Sequence, residues 1–390
     1  MIRIFFKTIW NNRMRNILVL IELFIISLVL VNLTVYLADM IRIMNIRNCY
    51  DSSDVIGLSF APLQEEDGEK TTQSFARLKT RLASNELVES VSFSSNAVPY
   101  NYSISTSGYK YGDEEISMAN RNVDIEYGEV MKIRPIKGRW FDESDIAKKV
   151  KPVLVSKRAE KKFFKGDAVG KVFGEDNFEI IGVVDEFKRS DIEEPYMAGF
   201  FFTDQEAANN WYRDILVRVK PGQVENFLKI AESEAMSVMD PKYWTMNAQN
   251  SLENMRDAQN SDSAQRRYLG LLIAFFVIIN VLLGVIGILW YNTNLRIHEI
   301  GIKRAMGSTG NQVKGQLILE NLLLGGIALI VVALVFIQVP SIRVFKVEAP
   351  VMYLSVAISI VVMTGLILIS TWIPTAIASR IRPAEALKTE

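Results

Sequence analysis

The chain has a single cysteine, Cys49, and a single histidine, His298. One thiol cannot close an internal disulfide, and one imidazole leaves nothing from which to build a His- or Cys-rich metal cluster. With no second cysteine and no lipobox-like context, Cys49 reads as a lone thiol. Net charge is absent too: 44 Lys and Arg balance 44 Asp and Glu. That removes any bulk electrostatic argument for nucleic acid or for an acidic partner. No nucleophile–base pair, metal constellation or special acid pair appears, so the chain reads as non-catalytic, with no cofactor of its own. His298-Glu299 opens a metalloprotease-like His-Glu-x-x-His pattern, but Ile302 stands where the second histidine is required.

What the sequence does have is apolar residues gathered into runs. They make up 49% of 390 residues, and a membrane protein concentrates them into stretches of about 20. The first run, residues 17–38, carries one charge, Glu22. It lacks the short apolar centre and small-residue cleavage site of a signal peptide, so it reads as a retained anchor. Three further spans follow at 269–291, 318–339 (uncharged from Leu322 onward) and 351–373. The expected fold is therefore a membrane protein with four transmembrane helices and one large extracytoplasmic α+β domain, residues 39–268, between the first two.

Basic residues resist translocation, and their distribution sets orientation. Arg3, Lys7, Arg13 and Arg15 precede the first span; Arg296, Lys303, Arg304 and Lys314 lie in the 292–317 loop; Arg380, Arg382 and Lys388 lie in the 374–390 tail. With four spans all three fall on one side, expected to be the cytoplasm, placing both termini there. The 340–350 loop then faces outward. Within residues 1–16, Ile2, Phe5, Phe6, Ile9 and Trp10 recur at helical spacing, which suits an amphipathic helix in the cytoplasmic headgroup layer or simply an apolar positive flank. Glu22 is an intramembrane acid, a functional position by default. It also lies about 7 to 8 Å of rise from the helix start, close enough to snorkel.

Between the first two spans the pattern becomes alternating strands and short helices. Val55–Phe60, a helix over Thr71–Ser84 and Val88–Ser94 make one βαβ unit; Ile215–Val219, Gln223–Val238 and Tyr243–Met246 make another. Two such units predict a ferredoxin-like split βαβ lobe with both helices on one face. Residues 122–202 read as a mostly β lobe inserted into it, with Val153–Val155 and Phe178–Val184 as strands and Lys157–Phe164 as a helix. The polar stretch 251–268 runs straight into span two and is expected to be a stalk helix.

After span two the chain reads Glu299, Ile300, Gly301, Ile302, Lys303, Arg304, Ala305, Met306, Gly307, then a glycine-rich break to Gly310. This is a short amphiphilic helix of the kind that seats in a partner's groove, though a membrane-surface loop would also suit it. The run Glu299–Gly307 followed by Leu319-Glu-Asn-Leu-Leu-Leu-Gly325 resembles the hallmark of MacB/FtsX-like ABC transporter permeases, the type VII mechanotransmission class. Three other segments resemble the same family: Pro374–Leu387, Lys137-Gly-Arg-Trp-Phe-Asp-Glu-Ser-Asp145, and Gly166–Lys171 with Ile180–Val184.

The resemblance implies a non-catalytic permease subunit in the bacterial inner membrane. It implies pairing with a second permease copy or paralogue, and Glu299 to Gly307 as the coupling helix seated in a cytoplasmic ABC ATPase dimer that binds ATP and Mg. ATP hydrolysis then moves the periplasmic domains, driving efflux or extraction of a peptide, drug or lipoprotein, with an adaptor and outer-membrane duct as possible partners. Some members of the family instead transmit force to a periplasmic partner such as a cell-wall hydrolase. The family's first span is usually purely apolar, which makes Glu22 a departure. No Gly-x-x-x-x-Gly-Lys-Ser/Thr loop occurs, since Gly166–Lys171 is too short and is followed by Val172. The ATPase is thus expected on a separate chain.

Overall fold

The computed structural model describes residues 13–64, 66–100, 105–146, 148–191, 193–203, 214–342 and 347–378. The helix expected over residues 1–16 lies outside them up to residue 12, as do the tail beyond 378 and residues 343–346 of the short loop.

In chain order the elements are α1 (Arg13–Asn45), β1 (Val55–Pro62), α2 (Gly68–Ala83), β2 (Val88–Ser95), β3 (Thr106–Tyr111), β4 (Glu114–Val123), α3 (Tyr127–Val130) and β5 (Lys137–Gly138). Then come β6 (Lys151–Ser156), α4 (Lys157–Phe163), β7 (Val172–Phe173), β8 (Phe178–Val184), β9 (Ala198–Phe202), β10 (Asp214–Val219), α5 (Val224–Met236) and β11 (Trp244–Ser251). Four helices close the chain: α6 (Leu252–Asn294), α7 (Ile297–Ala305), α8 (Gly310–Ile342) and α9 (Ala349–Ala378). The chain divides into two units, residues 1–42 with 266–390, and residues 43–265.

In the helical unit, four stretches are long and apolar enough to cross a bilayer: Ile17–Asn45, Arg267–Asn294, Gly310–Phe336 and Ala349–Trp372. The first helix continues past Ala38, the expected end of its span, because Asp39 and Arg42 pair one turn apart at 2.8 Å and keep the turn helical. The expected stalk is the opening part of α6, which has no break between Leu252 and Asn294. Polar groups on these apolar helices find partners across them. Thr34 Oγ1 lies 2.6 Å from Ser359 Oγ and donates to the Ser355 carbonyl at 3.2 Å, joining α1 to α9. Such bonds contribute about 0.6 kcal/mol each in a membrane, so they select a packing register more than they hold it.

In the other unit the strands form one sheet in the order β11-β1-β10-β2-β4-β9-β6-β8-β5, with β3 on β4 and β7 on β8. Strand β10 lies antiparallel between β1 and β2, and β1 antiparallel between β10 and β11. This is the split βαβ arrangement. Phe75, Leu78 and Leu82 of α2 and Phe227, Ala231 and Ala235 of α5 bury in one core with Ile56, Leu58, Val91, Phe93, Ile215 and Val217, so both helices cover one face.

The inserted part differs from expectation in two ways. It begins at Thr106 rather than near Asn122, because the β3–β4 hairpin precedes it. No residue of β3 is buried, so its sequence, Thr-Ser-Gly-Tyr-Lys-Tyr, carries no apolar alternation to announce a strand. Nor is the insert a separate lobe. Strand β4 pairs with β2 at Ser94↔Val123 and Ser95↔Asn122 and continues the sheet into β9. A core of Val55, Leu216, Val123, Phe200, Leu154 and Ile181 runs beneath both halves on the face opposite the helices. The two-pair seam is pinned by Asp124, which accepts from Ser92 Oγ at 2.6 Å, from the Phe93 amide at 2.8 Å and from Lys79 Nζ at 2.9 Å. Removing one partner here would strand a buried group, at a cost of about 3–5 kcal/mol.

The Lys137–Asp145 segment is a structural device. Gly138 has φ +70°, and a Cβ there would lie 2.1 Å from the Ile181 carbonyl oxygen. Arg139 grips Asp145 through two bonds of 2.6 Å, Trp140 Nε1 donates to the Ile125 carbonyl at 2.9 Å, and Asp142 and Asp145 form a capping box. Gly138→Ala should therefore destabilise this unit by about 2–3 kcal/mol. Denaturant unfolding of the detergent-solubilised chain, followed by tryptophan fluorescence, checks this; an unchanged midpoint would remove the close-approach argument.

Candidate functional site

Helix α7 is nine residues long and is followed by two capping signals. At its C-terminus Gly307 adopts φ +97°, its amide donates to the Arg304 carbonyl at 3.1 Å, and the Ser308 amide donates to the Lys303 carbonyl at 3.1 Å. This is the Schellman pair of bonds, which needs a left-handed residue and so favours glycine. Thr309 and Gln312 then exchange reciprocal bonds of 2.9 and 3.3 Å, a capping box that starts α8. The glycine-rich break thus follows from local chemistry.

The two faces of α7 differ. Ile300 and Gly301 are buried, and Ile300 packs against Val313 and Leu317 of α8. Ile302, Ala305, Met306 and Gly307 are exposed, Met306 at 77%. Glu299, Lys303 and Arg304 lie between the two faces, partly covered.

Two residues outside the expected set hold the helix. Arg296 and Glu320 are each 5% exposed. Arg296 Nη1 donates to Glu320, Nε donates to Glu299 Oε2 at 3.1 Å and Nη2 to Glu299 Oε1 at 3.4 Å. Lys303 Nζ reaches Glu299 at 2.9 Å, and Gln316 Nε2 reaches the other Glu320 oxygen at 2.9 Å. Burial alone would lower the Arg296 pKa, but the bonds to Glu320 and Glu299 outweigh it and raise it. Burial would likewise raise Glu299, and Arg296 with Lys303 instead hold it below its ordinary value. In the sequence Arg296 counts only as one more basic flank residue. The signal that could have found the pair is Glu320, an acid at the start of an otherwise uncharged apolar run.

Glu22 is exposed on α1 beside the exposed Leu18, Ile21 and Ile25, with no ion-pair partner among the described residues. Nothing brings it to α7. Gly166 and Gly170, with φ of +87° and +83°, form the turn into β7 within the mixed α/β unit and serve that edge strand.

A family model for the MacB-like periplasmic core domain matches residues 24–228, more than half of the chain. A model of the FtsX-like permease C-terminal matches residues 271–383. The chain belongs to the MacB/FtsX-like permease family. Relatives include the macrolide export ATP-binding/permease protein MacB 1/2 of Paracoccus denitrificans, 25% identical over 240 residues (58% of this chain, 35% of that protein). The MacB of Shigella sonnei is 22% identical over 297 residues (72% and 45%). A probable export ATP-binding/permease protein of Pseudomonas fluorescens is 26% identical over 302 residues (68% and 44%). The chain thus spans less than half the length of these relatives. Among solved structures, it is similar to the periplasmic region of MacB from Actinobacillus actinomycetemcomitans, with 13% identity over 56% of this chain and 97% of that one and a TM-score of 0.37. It is also similar to the extracellular domain of the transporter YknZ from Gram-positive bacteria, with 17% identity over 49% and 100% and a TM-score of 0.36.

The FtsX-like match includes α7 and Glu320. Because the Glu299 pKa is depressed on folding, the stability it adds is fully present above the unfolded carboxylate value and is lost as pH falls through the lower folded one. Hydrogen exchange of the α7 amides, corrected for intrinsic rates, should therefore be level from about pH 8 to about pH 5 and accelerate only below that. Loss of protection on raising the pH within this window would contradict the network.

Proposed function

We propose that this chain is the membrane subunit of an ABC transporter in which α7 is the coupling helix, seated in a cytoplasmic ABC ATPase that binds ATP and Mg. The observation that carries the reading is the division of α7 into an anchored face and a bare apolar one. An exposed methionine and isoleucine on a short charged helix, with Ile300 and Arg296 fixing the opposite side, suit helix-in-groove recognition. The given residues carry no phosphate-binding loop, and the proposal assigns nucleotide chemistry to the ATPase partner.

The proposal includes a second permease copy or paralogue, as the family resemblance implies, and an inner-membrane location with both termini cytoplasmic. The cycle drives efflux or extraction of a substrate from the periplasm or outer leaflet. The names of the relatives, macrolide exporters, support an export reading and leave the substrate class of this chain as a drug, peptide or lipoprotein. Basic residues flanking the spans at Arg13, Arg15, Arg296, Lys303 and Arg304 support the orientation.

Two measurements test this. An ABC ATPase should co-purify with the wild-type chain, and Met306→Asp, which places a charge on the bare face, should weaken its binding by at least about tenfold; absence of such an ATPase, or wild-type affinity in the variant, would overturn the docking assignment. A reporter fused after Glu390 should be active only in its cytoplasmic form, and a periplasm-only reporter active at that position would reverse the topology.

A further inference from the structure

The apolar contact between α7 and α8 consists of Ile300, Val313 and Leu317. Apolar contact is non-directional, so three side chains hold a nine-residue helix close without fixing its rotation. The guanidinium of Arg296 supplies what that contact lacks. A planar fork bonded to two carboxylates fixes distance and plane together. Here the two carboxylates come from different helices, Glu299 from α7 and Glu320 from α8; Lys303 shares Glu299 Oε1 with Arg296 Nη2, and Gln316 takes the Glu320 oxygen that Arg296 leaves. Arg296 stands at the break between α6 and α7, where its amide donates to the Thr293 carbonyl of α6 at 3.1 Å while its side chain bonds the loop helix and α8.

We propose that Arg296 is a positioning residue: it holds α7 with Ile302 and Met306 turned outward and passes displacement of α7 to α8 through Glu320. The proposal deepens the coupling-helix reading and rests on it for its second half. Because Arg296 and Glu320 are each only 5% exposed, that pair cannot readily trade its bond for water when α7 moves. Glu320 therefore moves with α7, or the pair breaks at the cost of leaving two buried charges.

The test uses the full chain in lipid nanodiscs with Cys49→Ser, and nitroxides at Met306→Cys and at Leu323→Cys, an exposed position on α8. The distance distribution should be narrow with Arg296 present and at least double in width in Arg296→Met and in Glu320→Gln, with Arg296→Lys between them. Unchanged width in both overturns the positioning role. Glu320→Gln nearly preserves shape, so it answers even where Arg296→Met fails to fold. In the second arm, without nitroxides, the co-purifying ATPase should bind Arg296→Met within about threefold of wild type while its stimulated kcat falls at least tenfold and KM for ATP holds. Wild-type kcat there overturns the transmission role. The first arm needs no ATPase, so it stands apart from the docking reading, whose failure shows separately as wild-type ATPase binding by Met306→Asp.

Discussion

Hydrocarbon offers no partner to a peptide N–H or C=O, and that constraint governs the helical unit. Each span must satisfy its backbone within itself, which is why long apolar runs become helices. The same scarcity of partners makes every side-chain polar group in these helices informative. Thr34 finds Ser359, Ser27 and Thr371 bond back to carbonyls one turn earlier, and Glu320, in the first third of α8, finds Arg296. The helix has no other economical way to carry an acid there. The pair therefore ties the α6–α7 break to α8, and it gives the loop helix one fixed face and one bare face.

The mixed α/β unit obeys a different constraint, the period of two along a strand. Val55 and Ile56, Leu154 and Val155, Phe200 and Phe201 each send successive side chains to opposite cores. A sheet with cores on both faces can be long only if its halves share one of them. The core beneath β1, β10, β4 and β9 does so here. Asp124 adds the directional element at the narrow β2–β4 seam, where two backbone pairs alone would leave the halves free to shear.

Much of this was legible from residues alone, for identifiable reasons. The four spans follow from length and apolarity, and the βαβ units follow from periodicity interrupted by Gly, Asp and Asn. The α7 boundary follows from the glycine-rich break over Gly307 to Gly310, a local signal. The β3–β4 hairpin escaped because β3 has no buried residue and β4 opens on two glutamates, so the apolar alternation shows only from Ile116 onward. The insert looked like a lobe because sequence separation hides that Val123 and Ser94 are neighbours in one ladder.

Sequence by itself determined the membrane class, the order of the domains and the amphiphilic character of Glu299 to Gly307. These depend on composition and short-range spacing, which the chain carries into any fold. Tertiary structure alone decided that Arg296, one basic flank residue among several, is the buried partner of an acid 24 positions away. It also decided that the Lys137–Asp145 motif is an architectural clasp. Both outcomes rest on desolvation and close approach, and neither exists until distant segments meet.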